Sequence, residues 1–322
     1  MDWVRRAVCR PRTQSRDHGP QVAVSRVDRL GVMSDRVLVT LDHEVRDADA
    51  PLLHADDLAV VRGDGVFETL LVRGGRALKV EPHLTRLVAS ARALGLPIQD
   101  LDEWRLALEL AVEEWGSERE GAMRLVLSRG RESGGDATAF VTVGPVPERI
   151  LEARRDGVSV LTLARGYSVD LSASAPWQLL GAKTLSYATN MAALRYAATL
   201  GADDVIFVSS EGNVLEGPRS TVVIARDRHL LTPPPEHGIL PGTTQQALYE
   251  VASGKGFRCE YAALRPADLI TAEGVWLISS VTMAARVRKI DGLALPDAPL
   301  ADEIVELVDL AVETAGAESA EA

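Results

Sequence analysis

Only four lysines stand among the 35 Lys plus Arg residues of this chain, so each one is conspicuous. Lys79 falls in a predicted short strand beside a turn, Lys255 lies between two glycines, and Lys289 belongs to the charged run 286–289; all three read as solvated. Lys183 differs, because Trp177-Gln-Leu-Leu-Gly-Ala182 precedes it with no charge nearby in sequence. A desolvated amine can lose its proton and attack a carbonyl, whereas a guanidinium stays protonated. The same setting also suits a lysine that lays its stem on apolar surface and carries its ammonium to water.

Four further groups of residues have the right types for chemistry. Glu211-Gly-Asn-Val-Leu-Glu216-Gly217 puts a carboxylate between two predicted strands, either buried with a task or solvated in a turn. Leu240-Pro-Gly-Thr-Thr244 ends in two hydroxyls at a predicted helix start. Backbone N–H groups, hydroxyls and the helix dipole there favour a phosphate, although threonine at that place also serves as a plain N-cap. Ser279 and Ser280 follow a predicted strand and offer two more hydroxyls. His83 and Arg86 lie three apart on one helix face, a spacing that a solvated face shares.

The elements that must position these groups alternate between strand and helix. Strands are predicted over 36–41 and 66–72, with Arg73-Gly-Gly-Arg76 as a turn and 77–80 as the return strand. A helix opens at Glu81 and Pro82, buries Leu84, Leu87, Val88, Ala91 and Leu94, and stops at Gly95 and Pro97. A second, over 102–115, points Leu106, Leu110 and Ala111 inward, and strands over 123–128 and 138–143 follow. The Pro-bearing segment 145–147 reads as a linker. Beyond it come strand 159–163, a loop to Lys183, helix 187–200, strand 205–209, strand 221–225, a helix after Gly242 and strand 275–278.

Composition narrows the function classes. The 322 residues are 46% hydrophobic and 25% charged, as in a globular protein with room for two domains. A net charge of −11 argues against nucleic acid or an anionic membrane as the main partner, and no apolar run is long enough to span a bilayer. Cys9 and Cys259 are the only cysteines, and the six histidines show no paired-ligand spacing, so we expect a metal-free, cytoplasmic protein. Residues 1–32 carry seven arginines and no glutamate. A transit peptide would look similar, but an untidy or mis-started extension upstream of Met33 is the reading taken, with a fraying Ala/Glu tail at 315–322.

In this order, Val61-Arg-Gly-Asp-Gly-Val-Phe-Glu-Thr69, His83-Leu-Thr-Arg86, Gly181-Ala-Lys183, Glu216-Gly217, Leu240-Pro-Gly-Thr-Thr244 and Ser279-Ser280 resemble the signatures of the class IV aminotransferases. These are fold-type IV pyridoxal-phosphate enzymes, and the resemblance spans nearly all of residues 36–310. It implies a two-domain α/β (α+β) fold: a small N-terminal α/β domain over 34–147 and a larger C-terminal, cofactor-binding, mixed-sheet or pseudobarrel domain over 148–314. It further implies a homodimer, with pyridoxal 5'-phosphate between the domains as a Schiff base on Lys183. Glu216 would partner the pyridine nitrogen, Arg86, Thr243, Thr244 and Ser280 the phosphate, and Tyr187 the phenolic oxygen.

Arg62 to Thr69, Lys183-Thr-Leu-Ser-Tyr187 and Asn190 look most like aminodeoxychorismate lyases, which turn 4-amino-4-deoxychorismate into 4-aminobenzoate and pyruvate for folate synthesis. Lys183 would take the ring proton there, and Asp64 or Thr69 would assist the departing oxygen. Arg62 would meet a substrate carboxylate or form an ordinary salt bridge. Branched-chain aminotransferases usually have tyrosine at that place. D-amino-acid transaminases share the Gly-Asp-Gly segment and are the main rival, and a non-catalytic cofactor-binding protein is a remote third reading. Since residues 1–32 offer no residue to the proposed site, a chain starting at Met33 is expected to keep its thermal stability and lyase rate. A large drop in either would place the extension against the fold.

Overall fold

The computed structural model describes residues 35–314, so the readings of the extension at 1–33, of Cys9 and of the tail at 315–322 lie outside the described residues. β-Branched and bulky apolar residues at alternate positions dictate the first layer. It takes β1 (Val37–Thr40), β2 (Val45–Arg46), β3 (Gly65–Arg73), β4 (Arg76–Ala77), β5 (Gly121–Ser128) and β6 (Thr138–Pro145). Their spatial order is β2-β1-β6-β5-β3-β4, and every neighbouring pair is antiparallel. Three helices join these strands: α1 (Leu58–Arg62), α2 (Val80–Ala93) and α3 (Leu101–Trp115).

One face of that sheet, with Val66, Leu70, Val72, Met123 and Leu125, packs on Leu84 and Leu87 of α2 and Trp104 and Leu108 of α3. Each fully buried leucine there is worth about 1.5–3 kcal/mol relative to exposure. The opposite face carries Phe67, Thr69 and Leu71, and Leu71 joins a second core with Trp276, Ile278 and Leu307.

The second layer follows α4 (Glu148–Asp156). It comprises β7 (Val158–Ala164), α5 (Leu171–Ser174), α6 (Ala188–Thr199), β8 (Asp204–Val208), β9 (Thr221–Arg226), β10 (His229–Thr232) and α7 (Thr243–Gly254). The chain continues through β11 (Arg258–Tyr261), α8 (Pro266–Thr271), β12 (Gly274–Ser279), β13 (Met283–Ile290), β14 (Leu293–Ala294) and α9 (Ala301–Thr314). The sheet is mixed, in the order β11-β10-β9-β12-β13-β7-β8 with β14 beside β13. The β10–β11, β13–β7 and β7–β8 pairs are parallel.

The two layers meet where the lysine sits. The loop between β7 and α6 lays residues 183–185 against the start of β3 as a short antiparallel bridge, Val66 opposite Thr184. Phe67 N–H donates to Lys183 O at 3.1 Å, Leu185 N–H to Gly65 O at 2.8 Å, and Lys183 N–H to Ser90 Oγ at 3.1 Å. The backbone of the lysine is thus held by the first sheet and by α2, although its own segment enters from the second.

Several expectations need correction. The return strand predicted over 77–80 is only Arg76–Ala77, because α2 already starts at Val80. Lys79 is not solvated: it is 7% exposed, adopts a left-handed conformation at φ 59, and its Nζ lies 3.5 Å from Ala311 O of α9. Leu106 points out of α3 at 50% exposure, and Trp104, Ala107 and Leu108 fill the inner face instead. The short segment 145–147 read as a linker is the connection between β6, which ends at Pro145, and α4, which begins at Glu148.

Gly65 shows how tightly the bridge is packed. A Cβ there would lie 2.6 Å from Leu185 Cδ1 and 2.7 Å from Leu127 O, and the carbonyl cannot move without breaking the β3–β5 ladder. Gly65→Ala is therefore expected to cost about 1–3 kcal/mol in thermal or denaturant unfolding. An unchanged midpoint would show that the bridge adapts freely.

Candidate active site

A cavity of about 620 Å³ opens between the outer face of β3 and β5 and the ends of α6, α7 and β12. Lys183 reaches into it, with Nζ 4.5 Å from the centre of the Phe67 ring. Desolvation brings its pKa down to about 8, Arg86 and Arg124 repel the ammonium further, and Glu68 and Glu216 oppose the shift. Roughly a tenth of molecules then present a free amine at pH 7. That excludes the snorkelling alternative: the side chain turns into the cavity, under an aromatic face.

Glu216, in the loop before β9, lines the same cavity and is held by the N–H of Leu240, which donates to its Oε2 at 3.1 Å. Burial raises its pKa to about 7, against the Leu240 bond and the charges of Arg165, Lys183 and Arg86. A carboxyl in this state gains strongly from a cationic N–H placed before it.

The third wall is a cup of hydroxyls. Thr243 and Thr244 occupy the first turn of α7, whose N-cap is Gly242 and has no side-chain cap bond, so the turn keeps its amide donors. Ser280 Oγ lies 3.5 Å from Thr243 Oγ1, 3.4 Å from Thr244 Oγ1 and 3.0 Å from His83 Nε2. Arg86 closes the cup, and its Nη1 donates to Pro241 O at 2.7 Å.

Behind the cup lies a residue to which no role was assigned from the sequence. Glu68 has no solvent exposure. Its carboxylate accepts from Arg86 Nε at 2.7 Å and Nη2 at 2.8 Å, and from His83 Nδ1 at 2.7 Å. Burial would raise its pKa, but Arg86 and His83 outweigh burial and hold the carboxyl well below the usual range. The signal was present: position 68 shares its strand face with Val66, Leu70 and Val72, so the alternation puts a carboxylate in the core.

Arg124, Arg149, Arg165 and Arg219 also line the cavity and were not foreseen. Arg165 Nη1 donates to Asn190 Oδ1 at 2.9 Å and lies 4.5 Å from the Phe207 ring centre. Arg219 pairs with Asp204 at 3.3 Å. Tyr187 lines the cavity edge-on to Phe67 at 5.4 Å, and its hydroxyl and Asn190 Nδ2 both donate to Pro218 O.

Of the residues singled out from sequence, Arg86, Lys183, Tyr187, Glu216, Thr243, Thr244, Ser280 and Thr69 converge on this cavity. Thr69 stands opposite Arg124 across β3 and β5. Arg62 and Asp64 do not line it. Arg62 is exposed, 3.4 Å from Glu132, and Asp64 pairs with Arg129 at 2.6 Å.

Residues 65–290 match the family model for amino-transferase class IV. The chain belongs to this family. Class IV relatives cover almost the whole of the described structure. A Mycobacterium tuberculosis protein named bifunctional aminodeoxychorismate lyase / D-amino acid transaminase is 59% identical over 285 residues, covering 86% of this chain and 99% of its own length. An M. tuberculosis aminotransferase solved in a PLP-bound form superposes with a TM-score of 0.85 at 59% identity, covering 87% of this chain and 99% of that one. A fold IV transaminase from Curtobacterium pusillum gives 0.81 at 39% identity, covering 86% and 99%. The donor set of the class IV site fits pyridoxal phosphate: an amine of lowered pKa, a buried carboxyl of raised pKa, and a hydroxyl-lined helix start beside a guanidinium.

The state of the amine can be tested without any cofactor. In the cofactor-free chain, acylation of Lys183 is expected to rise with pH, reach half its maximum near pH 8 and then level off, because only the deprotonated amine reacts. Mass spectrometry of the Lys183 peptide reads the rate, and a midpoint near that of an exposed lysine, about 10.4, would remove the desolvated amine.

Proposed function

We propose that this chain is a pyridoxal-phosphate enzyme that converts 4-amino-4-deoxychorismate to 4-aminobenzoate and pyruvate, serving folate synthesis. The carrying observation is that Lys183, Glu216 and the Arg86 cup face one cavity from three sides. A 59% identical relative that bears both names favours a second activity, transamination of D-amino acids, in the same site. The cationic wall of Arg124, Arg149, Arg165 and Arg219 suits substrates with more than one carboxylate, such as 4-amino-4-deoxychorismate or 2-oxoglutarate.

The residues divide the work. Lys183 Nζ would hold the cofactor covalently and, as a desolvated amine of lowered pKa, would serve as the base for the carbon that loses its proton. When bound, the cofactor supplies an electron sink for that carbon. Glu216 would keep the pyridine nitrogen protonated. Arg86, Thr243, Thr244 and Ser280 would hold the phosphate, and Tyr187 would serve the phenolic oxygen. Thr69 faces the substrate beside Arg124. In this reading Arg62 is a surface ion pair with Glu132 and Asp64 orients Arg129.

The enzyme acts as a homodimer of two-domain subunits joined near residue 147, in the cytoplasm. In α6 only Ala197 is buried, while Met191, Tyr196 and the adjoining Leu200 are exposed, which supports a subunit contact there. Among the described residues no helix is long and apolar enough to cross a membrane, and no cluster could hold a metal ion.

The holoenzyme given 4-amino-4-deoxychorismate is expected to release 4-aminobenzoate and pyruvate in equal amounts, and given D-alanine with 2-oxoglutarate to form pyruvate. Lys183→Ala should abolish both. Glu216→Gln should keep the cofactor and lose rate, whereas Arg86→Ala should weaken cofactor affinity by about 2–5 kcal/mol. Full activity of Lys183→Ala, or turnover of branched-chain amino acids alone, would overturn the assignment.

A further inference from the structure

His83 is buried, 1% exposed, and touches both the inner carboxylate and the hydroxyl cup. Its Nδ1 lies 2.7 Å from Glu68 Oε2, and its Nε2 lies 3.0 Å from Ser280 Oγ and 3.3 Å from Thr243 Oγ1. Glu68 is ionised beside Arg86 and only accepts, so Nδ1 carries a proton in either charge state of the ring. The open question is Nε2. In a neutral ring it is an acceptor, and one of the two hydroxyls must spend its single proton on it. In a cationic ring it donates, and that proton is released toward the cup.

A phosphate dianion accepts and cannot donate, so it competes with Nε2 for the same hydroxyl protons. Charge points the same way. Around the ring, α2 contributes Arg86, whereas Lys79, the cap residue one turn before His83, sends its Nζ to Ala311 O of α9. β3 contributes Glu68 and the docked loop Lys183, while α7 and the turn after β12 bring only hydroxyls to it. Glu68 already offsets Arg86 through two bonds, so the guanidinium by itself leaves a dianion poorly balanced. Without an anion, burial holds His83 below its ordinary pKa, Glu68 opposes this, and Arg86 and Lys183 add to it.

We propose that His83 takes up a proton from solvent at Nε2 when a phosphate fills the cup, which turns the ring from acceptor to donor and frees the Ser280 and Thr243 hydroxyls for the anion. His83 is then a positioning residue for cofactor binding, and the inference rests on the cup being the phosphate site. Because the ring is neutral when free and protonated when the anion is bound, anion affinity falls by up to about tenfold per pH unit between the free-state and bound-state pKa of His83 and levels off on either side.

The test uses the full chain with isotope-labelled histidine nitrogen, cofactor-free, with sulfate, and loaded with pyridoxal phosphate. Sulfate mimics the dianion and does not titrate near neutral pH. His83 Nε2 is expected to be unprotonated in the free chain and protonated in both others, its ring signals being assigned through the sequential backbone resonances. Calorimetry of sulfate binding in buffers of different protonation enthalpy should show about one proton taken up, absent in His83→Gln, whose amide donates at every pH. An unchanged Nε2 on loading, or uptake that persists in the variant, overturns the proposal, and the nitrogen spectra decide even if the variant does not fold. A chain that never captures the cofactor would instead sink the enzyme assignment, with sulfate still reporting on His83.

Discussion

A carboxylate with no access to solvent organises this site. Glu68 is tolerable in the core only because a guanidinium and an imidazole satisfy both its oxygens. Those partners are themselves committed elsewhere: Arg86 to the carbonyl of Pro241 before α7, and His83 to the hydroxyls of Ser280 and Thr243. One strand of the first sheet is thereby tied to a helix start and a turn of the second. The hydroxyl cup inherits its shape from that knot, so its geometry is set by the fold itself.

The cavity also separates two titrating groups from their solution behaviour. Desolvation pushes the lysine down to about 8 and the carboxyl up to about 7, in opposite directions for one reason: each charged form loses water. Groups poised near neutral pH are suited to proton transfer. The lysine is fixed through its backbone, by Phe67 and Ser90, so its side chain can leave and return while its origin stays put.

Arginine dominates the rest of the wall. Arg165 and Arg219 are each oriented by a neighbour, Asn190 and Asp204, whereas the side chains of Arg124 and Arg149 make no hydrogen bond or ion pair with another described residue. In a chain of net charge −11, this concentration of positive charge in one concavity favours anionic ligands there against the overall sign of the chain.

Much of the site was legible in the chain itself. Lys183 stood out because three other lysines had charged or glycine-rich neighbours, and Thr243-Thr244 because a Pro-Gly pair marked a helix start. Most of the strands and helices named from periodicity appear within a few residues of their predicted ends. Local pattern misled where contacts came from afar: Lys79 looked solvated in its own turn, yet α9, more than 200 residues later, covers it. It was silent on α4, α8, α9 and β13, whose burial is decided by the sheet they meet. The sequence determined which residue types were available and on which strand or helix face each would lie, because periods of 2 and 3.6 are local properties of the backbone. Only the tertiary structure decided that Glu68, His83, Arg86, Thr243 and Ser280 are one hydrogen-bonded unit, since burial, and with it the cost of an unpaired charge, is a property of the packed whole.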